Sequence, residues 1–354
     1  MRWMVAVCLL CLGVATTAAN GPDWGRWAEE VRKQHPLAGS VYLHRSGELL
    51  TLPAAKDNWR LFGFGKASGF ILLGEVHDNP IHHKLRGWLI EQLASILHDR
   101  RPGVVFEQIR TDQQPALDQF KALADAGSAT ANDLLRFLEW DKSGWPPAQI
   151  YKPLFEAALA AKLPIHAGDP PRGRVRAVAR GGFASLTPEE RVRLRLDEPM
   201  PGPLLDALRK ELVGSHCGLL PPEAVEGMVA AQRYRDAHLA DALLSAAERY
   251  HAAAAERGEP YWWRFSPHWP AILVAGNGHV RSDRGVPWHL RLRASQEHLL
   301  GAFTYLLLEV EEGKTDPEAY VPRDPEGKAA AGLIIFTPRA ERSDPCEAMR
   351  KMKR

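Results

Sequence analysis

Two short stretches of this chain share the pattern Gly-x-x-His: Gly74-Glu75-Val76-His77 and Gly276-Asn277-Gly278-His279. Each follows an apolar run, Gly69-Phe70-Ile71-Leu72-Leu73 in the first case and Ala271-Ile272-Leu273-Val274-Ala275 in the second. One such motif is common by chance. Two of them, both where a buried strand would end, point to one site, because glycine lets the backbone turn sharply and come close to a ligand. Two further runs lead into ionisable residues: Gly103-Val104-Val105-Phe106 runs into Glu107, with Arg110 just beyond, and Leu163-Pro164-Ile165-His166-Ala167 runs through Gly168 into Asp169, with Arg172 beyond. If these runs are parallel strands, their carboxyl ends line one rim, where open α/β sheets bind ligands. That rim gathers Glu75, His77, Asp78, Glu107, Arg110, Asp169, Arg172 and His279. Such a set suits metal binding, acid and base work, or capture of an anion.

Plainer roles compete with each of these. Glu107 and Arg110 could form a buried structural ion pair. His279 could be a core histidine bonded to a carbonyl. Asp78-Asn79-Pro80 reads as the cap and first turn of a helix. His82 and His83, on that first turn, read as solvated.

The elements that must position these groups follow from hydrophobic patterning. Short apolar runs that stop at glycine or polar residues read as strands buried on both faces. Between them, residues 81–100 place Leu85, Leu89, Leu93 and Leu97 on one helical stripe that would cover a sheet. Residues 39–52 read as a hairpin, with Val41-Tyr42-Leu43 and Leu49-Leu50-Thr51-Leu52 flanking Arg45-Ser46-Gly47-Glu48. Residues 176–257 hold no strand pattern and carry Pro at expected helix starts, so they read as a helical insertion. Phe303–Val310 and Gly332–Thr337 are β-rich and are expected to pair antiparallel at the sheet edge. The fold class is therefore α/β: a mostly parallel central sheet flanked by helices, with a helical insertion and an antiparallel C-terminal edge.

Residues 1–19 read as a signal peptide, with Arg2, the apolar run Trp3 to Val14 and the small residues Thr17-Ala18-Ala19, leaving 20–354 as one mature domain. The expected location is the periplasm or cell envelope. Cys8 and Cys11 leave with the signal and lack a good lipoprotein-type box, so a lipid anchor is not favoured. Cys217 and Cys346 remain, and whether they pair is a matter of geometry. A formal net charge of +2 without a dense basic block argues against nucleic acid.

Several stretches together, in order, resemble the ChaN-like haem-binding uptake family. They are Leu73 to Pro80 with His82-His83; Phe106-Glu107; Trp140 to Pro146 with Tyr151-Lys152-Pro153-Leu154-Phe155; Ser215-His216-Cys217-Gly218; Ala231 to Ala237; and Gly276 to Arg281 through Gly285-Val286-Pro287. The resemblance covers roughly residues 38–310 and extends to a superfamily with the Tiki proteins and erythromycin esterase-like enzymes. It implies an α/β core with a helical insertion, haem binding in iron acquisition at the envelope, a homodimer enclosing haem between its subunits, tyrosine as an iron ligand, and outer-membrane uptake components as partners.

On that reading Tyr151 and Tyr234 are the first iron-ligand candidates, with His279 beside them, since phenolate and imidazole both ligate haem iron. Arg110, Arg172 and Arg281 would pair with propionates. No Cys-x-x-Cys-His occurs, so the haem is held non-covalently. Tyr151 could equally be a packing aromatic, and Trp140, Trp145 and Tyr261-Trp262-Trp263 either wall a porphyrin pocket or fill a groove. The alternative is a divalent-metal-dependent hydrolase drawing on Glu75, His77, Glu107, Arg110 and His279. There Glu75 or His77 is general base, His77 and His279 are metal ligands, and Arg110 stabilises an oxyanion. A third reading is a non-catalytic envelope interaction protein, docking through its insertion.

Overall fold

The computed structural model describes residues 22–52, 69–97, 101–125, 127, 129–258, 271–293 and 301–352. The signal-peptide reading, Cys8 and Cys11, and Tyr261-Trp262-Trp263 lie outside the described residues. Eight strands, β1 (Ser40–Leu43), β2 (Glu48–Thr51), β3 (Gly69–Leu73), β4 (Gly103–Arg110), β5 (Ile165–Asp169), β6 (Ala271–Val274), β7 (Gly301–Glu309) and β8 (Leu333–Thr337), form one sheet in the order β2-β1-β8-β7-β3-β6-β4-β5.

The four runs that stop at glycine or charge are β3, β4, β5 and β6, and they pair parallel as β3-β6-β4-β5. Strand β6 comes last of the four yet lies between β3 and β4, which sets the two Gly-x-x-His motifs on neighbouring strands. Continuous apolar sequence fits these strands because both faces are covered. Ile71, Leu73, Val104 and Phe106 pack with Leu85, Leu89 and Leu93 of the helix Pro80–Leu97 on one face. Phe70, Leu72, Val105 and Leu273 pack on the other with Leu239, Leu243 and Ala246 of the long helix Pro222–Glu256.

The insertion lies between β5 and β6 as the helices Arg172–Gly181, Pro188–Leu194, Gly202–Ser215 and Pro222–Glu256. Thr187 caps the second through the Glu190 amide, with Pro188 starting the helix where its missing N–H costs nothing. The carboxyl half of the long helix covers the sheet, and its amino half reaches over the rim. No described helix is long and apolar enough to cross a membrane.

Two expectations are corrected. Strands β7 and β8 pair parallel, Tyr305 opposite Leu333, and the antiparallel edge is made where β8 meets β1 and β1 meets β2. The segment between β7 and β8 is long enough for a crossover, and it buries Tyr320, Val321, Ala330 and Ala331 as it returns to the start of the sheet. His82 and His83 are not solvated; both are completely buried. Cys217 and Cys346 form a disulfide with Cα atoms 5.5 Å apart.

Candidate functional site

The first half of the site grows from the end of β3. The Gly74 N–H donates to the Tyr305 carbonyl at 2.8 Å. A Cβ there would lie 2.2 Å from Asn277 Oδ1 and 2.8 Å from the Tyr305 carbonyl oxygen, so only glycine fits. The next residue, Glu75, has a wholly buried carboxylate. Its Oε1 accepts from His77 Nδ1 at 2.7 Å, from Gln108 Nε2 at 3.0 Å and from the Tyr151 hydroxyl at 3.4 Å. Its Oε2 is ion-paired with Arg86. The His77 ring is less enclosed: its side chain is 42% exposed, and it meets the Trp145 ring edge-on with centroids 4.9 Å apart. Burial holds His77 below the ordinary histidine value against the pull of Glu107, so it is neutral at pH 7. With Nδ1–H spent on Glu75, the lone pair sits on Nε2.

His82 and His83 are structural supports. His82 Nδ1 accepts from the Val76 amide at 2.9 Å, and its Nε2 meets Thr337 Oγ1 at 2.8 Å; burial pushes it down to about 3. His83 Nε2 donates to the His77 carbonyl at 2.9 Å, which leaves Nδ1 to accept from Arg86 at 2.7 Å. Burial lowers His83 to about 4, in keeping with that neutral tautomer.

The second half gathers on Glu107, from β4. Its Oε2 accepts the Gly276 amide at 2.7 Å, and its Oε1 meets Arg235 Nη2 at 2.8 Å and His279 Nε2 at 3.2 Å. The other nitrogen of His279, Nδ1, contacts Asp236 Oδ1 at 2.6 Å, and Arg235 Nε reaches Asp169 Oδ1 at 2.8 Å. Burial alone would depress His279, but Glu107 and Asp236 override it and push the ring up to about 10. Burial would raise the Glu107 carboxyl, yet His279, His77 and Arg235 hold it well below the usual carboxylate range. The halves meet at Gly276, where a Cβ would sit 2.8 Å from His77 Cε1, 3.1 Å from His77 Nε2 and 3.7 Å from Glu107 Oε2. Glu75, His77, Glu107 and His279 therefore form one continuous cluster at the strand ends, with His77 its most exposed member.

The arginines and tyrosines divide. Arg110 does not pair with Glu107, because side chains three apart on a strand face opposite ways. It pairs instead with Asp112 at 2.9 Å. It faces a cleft of about 350 Å³ lined also by Trp145, Asp169, Arg172, Arg176 and Arg235. Arg281 lies apart, forked onto Asp283 at 3.0 and 2.7 Å. Tyr151 is fully enclosed between the His83 and Trp140 rings, its hydroxyl on Glu75 and the His77 carbonyl. Tyr234 is turned into the insertion's own small core with Val178, Leu186 and Leu194, and its hydroxyl donates to Glu190 at 2.9 Å. Burial pushes both hydroxyls well up, away from the phenolate that ligates ferric iron.

Sequence reasoning did not single out Arg86, Gln108, Arg235 or Asp236 as site residues. Arg235-Asp236 lies inside a stretch that carried the family resemblance, and Arg86 stands on the apolar face of its helix. A charge in such a place signals a buried partner.

Among the described residues no three His, Cys, Asp or Glu side chains converge in a way that could hold a metal ion. His279, with carboxylates on both ring nitrogens, has no lone pair to offer, so the pairing of His77 with His279 as metal ligands has no support in this donor set. Haem is a better fit: among the described residues no hydrogen bond is made by His77 Nε2, and Arg110, Arg172 and Arg176 line a cleft walled also by Trp145, the ring against His77, where carboxylates could be met.

The family described as haem-binding uptake, Tiki superfamily, ChaN matches residues 65–290. Among solved structures, the fold is similar to that of "Cofacial heme binding to ChaN of Campylobacter jejuni", with 17% identity over 83% of this chain and 95% of that one and a TM-score of 0.56. Weaker likenesses reach a mutant of the erythromycin esterase EreC in its open conformation (14% identity, 84% and 96% covered, TM-score 0.37) and the type III effector HopBA1 (11% identity, 81% and 91% covered, TM-score 0.36). No curated protein matches the chain in sequence.

Proposed function

Because the chain belongs to the ChaN family of haem-binding uptake proteins in the Tiki superfamily, we propose that it is an exported protein of iron acquisition that holds haem non-covalently at the carboxyl ends of β3, β6, β4 and β5. One observation carries this reading: a neutral, part-exposed His77 whose Nδ1–H is taken by Glu75 and whose Nε2 lies beside Gly276. A carboxylate behind an imidazole fixes its orientation and raises its basicity as an iron ligand. Haem bound there supplies a ferric or ferrous centre for that nitrogen; the chain's own part is to aim His77, wall one side with Trp145 and meet the propionates with Arg110, Arg172 and Arg176. The Cys217–Cys346 disulfide suits an oxidising compartment such as the periplasm. A cleft of about 350 Å³ is at the small end for a ligand pocket and would leave much of a porphyrin uncovered. A second copy of the chain is the proposed cover, and outer-membrane uptake components are the proposed partners.

The test is a hemin titration followed in the Soret region. A saturable shift is expected, weakened at least about tenfold in His77→Ala and retained in Tyr151→Phe and Tyr234→Phe. A shift no larger than that given by an unrelated protein sinks the reading, and loss in Tyr234→Phe but not in His77→Ala moves the ligand elsewhere. Light scattering with and without hemin tests the dimer.

The same neutral imidazole is also equipped to act as a general base, which favours hydrolysis as a second reading. That reading requires ester turnover that vanishes in His77→Ala; turnover unchanged by the substitution removes it.

A further inference from the structure

Arg86 is out of place by the rules of packing. It sits on the helix Pro80–Leu97 among Leu85, Leu89, Ile90 and Leu93, and no part of it reaches solvent. Among the described residues Nη2 alone is engaged, on Glu75 Oε2 and His83 Nδ1, while Nε and Nη1 have no hydrogen-bond partner there. A buried ion pair rarely outperforms well-packed apolar side chains, and unmade guanidinium hydrogen bonds add to its cost. Stability therefore does not account for this residue, whereas its contact does. Arg86 pins one oxygen of Glu75, and the other oxygen is the acceptor for His77 Nδ1–H at 2.7 Å. A neutral imidazole without such an acceptor samples both tautomers, and only one of them leaves a lone pair on Nε2.

We propose that Arg86 is a positioning residue that, by holding Glu75 in place, fixes the tautomer of His77 and keeps the lone pair on Nε2, beside Gly276. The tautomer follows from the contacts of Glu75 with His77 and Arg86 around a neutral ring; its consequence for ligand affinity rests on the haem reading. The chain of contacts makes an unusual demand on residue 75. Arg86 requires an oxygen on its side, so an amide there must turn its NH2 toward His77, which reverses the tautomer. Removing Arg86 as well frees the amide to turn round, because His83 Nδ1, 3.1 Å from Oε2, then accepts the NH2.

The experiment is long-range 1H–15N correlation of the histidine rings in the haem-free protein. Wild type and Arg86→Lys are expected to show His77 as Nδ1–H, Glu75→Gln as Nε2–H, and Glu75→Gln/Arg86→Met as Nδ1–H again. The same His77 tautomer in the single and double variants overturns the proposal. Should Glu75→Gln alone fail to fold, Glu75→Gln/Arg86→Lys replaces it, since an ammonium also takes the amide oxygen. The double variant buries no charge, so it tests the reversal without that burden. Hemin affinity is the second readout, expected to fall at least about tenfold in Glu75→Gln and to recover in the double variant. A tautomer that switches while hemin affinity stays constant removes His77 as the iron ligand and leaves the role of Arg86 standing.

Discussion

His77 and His279 occupy the same place in two copies of one motif, yet they end in opposite protonation states. His77 faces Glu75, a carboxylate whose charge is already answered by Arg86, and burial keeps the ring neutral. His279 lies between Glu107 and Asp236, and their combined charge outweighs its burial and lifts it to about 10. The first thus keeps a lone pair on its ring, and the second is a fixed cation that lets two acidic side chains sit inside the protein. A group raised in the folded state from an ordinary 6.5 adds stability that is fully present below 6.5 and is lost as pH climbs through about 10. Urea melts of wild type against His279→Gln should therefore differ most at about pH 6, by about 3–5 kcal/mol for a broken buried pair, and converge toward pH 10.5. An NMR titration showing His279 losing its proton near pH 6.5 contradicts this.

At the scale of elements, the two motif glycines do different jobs. Gly74 is locked where β3, β6 and β7 converge, and an added methyl would strike the Tyr305 carbonyl oxygen and Asn277. Gly74→Ala is expected to cost about 1–3 kcal/mol of stability by overpacking. Gly276 opens onto the site, and the atoms nearest an added methyl belong to the His77 ring, which has room to swing. Gly276→Ala should leave the melting temperature nearly unchanged and weaken hemin binding; equal losses of stability in both variants contradict the distinction. Runs such as Phe70 to Leu73 and Val104 to Phe106 announced their strands because both faces are covered, so no alternation blurs the signal. His77 and His279 stood out for the same reason, coming just past the ends of those strands, and Glu107 as the first charge to break an apolar run, within β4. The partners that set their charge were not. Arg235 and Asp236 come from a helix of the insertion, Arg86 from the covering helix, and no local pattern says which strand end a helix will overlie. The direction of β8 was misread because the pairing of two β-rich segments depends on the path of the chain between them. The plain alternative of a Glu107–Arg110 ion pair fails because closeness in sequence along a strand is not closeness in space.

Over the whole molecule, the carboxyl-terminal segment ties together parts that share little core. Leaving β8, it accepts the Asn79 side-chain amide on the Pro338 carbonyl at 3.1 Å and donates from the Ala340 amide to Glu309 at 3.0 Å. Arg342 then meets Asp78, next to His77, at 2.7 Å and Glu309 at 2.8 Å. The disulfide from Cys346 finally fastens Cys217, just past the helix Gly202–Ser215. That helix rests on a small cluster of its own, Leu208, Leu212 and Val229 with a few partly buried neighbours, and it touches the rim through the ion pair of Glu211 with Arg284. So little buried apolar surface cannot hold a helix firmly, and the cross-link must supply much of its order. Joining residues 129 positions apart restricts the unfolded chain strongly, and losing such a bond costs about 2–4 kcal/mol. Cys346→Ser, or reduction of the wild-type protein, should lower stability in urea by that amount. It should also speed hydrogen exchange in Gly202–Ser215 far more than in β3 or β4, because those strands keep their cover on both faces. A uniform rise in exchange across the sheet and the insertion contradicts a local role for the bond, and unchanged exchange in Gly202–Ser215 shows that the small cluster holds the helix unaided.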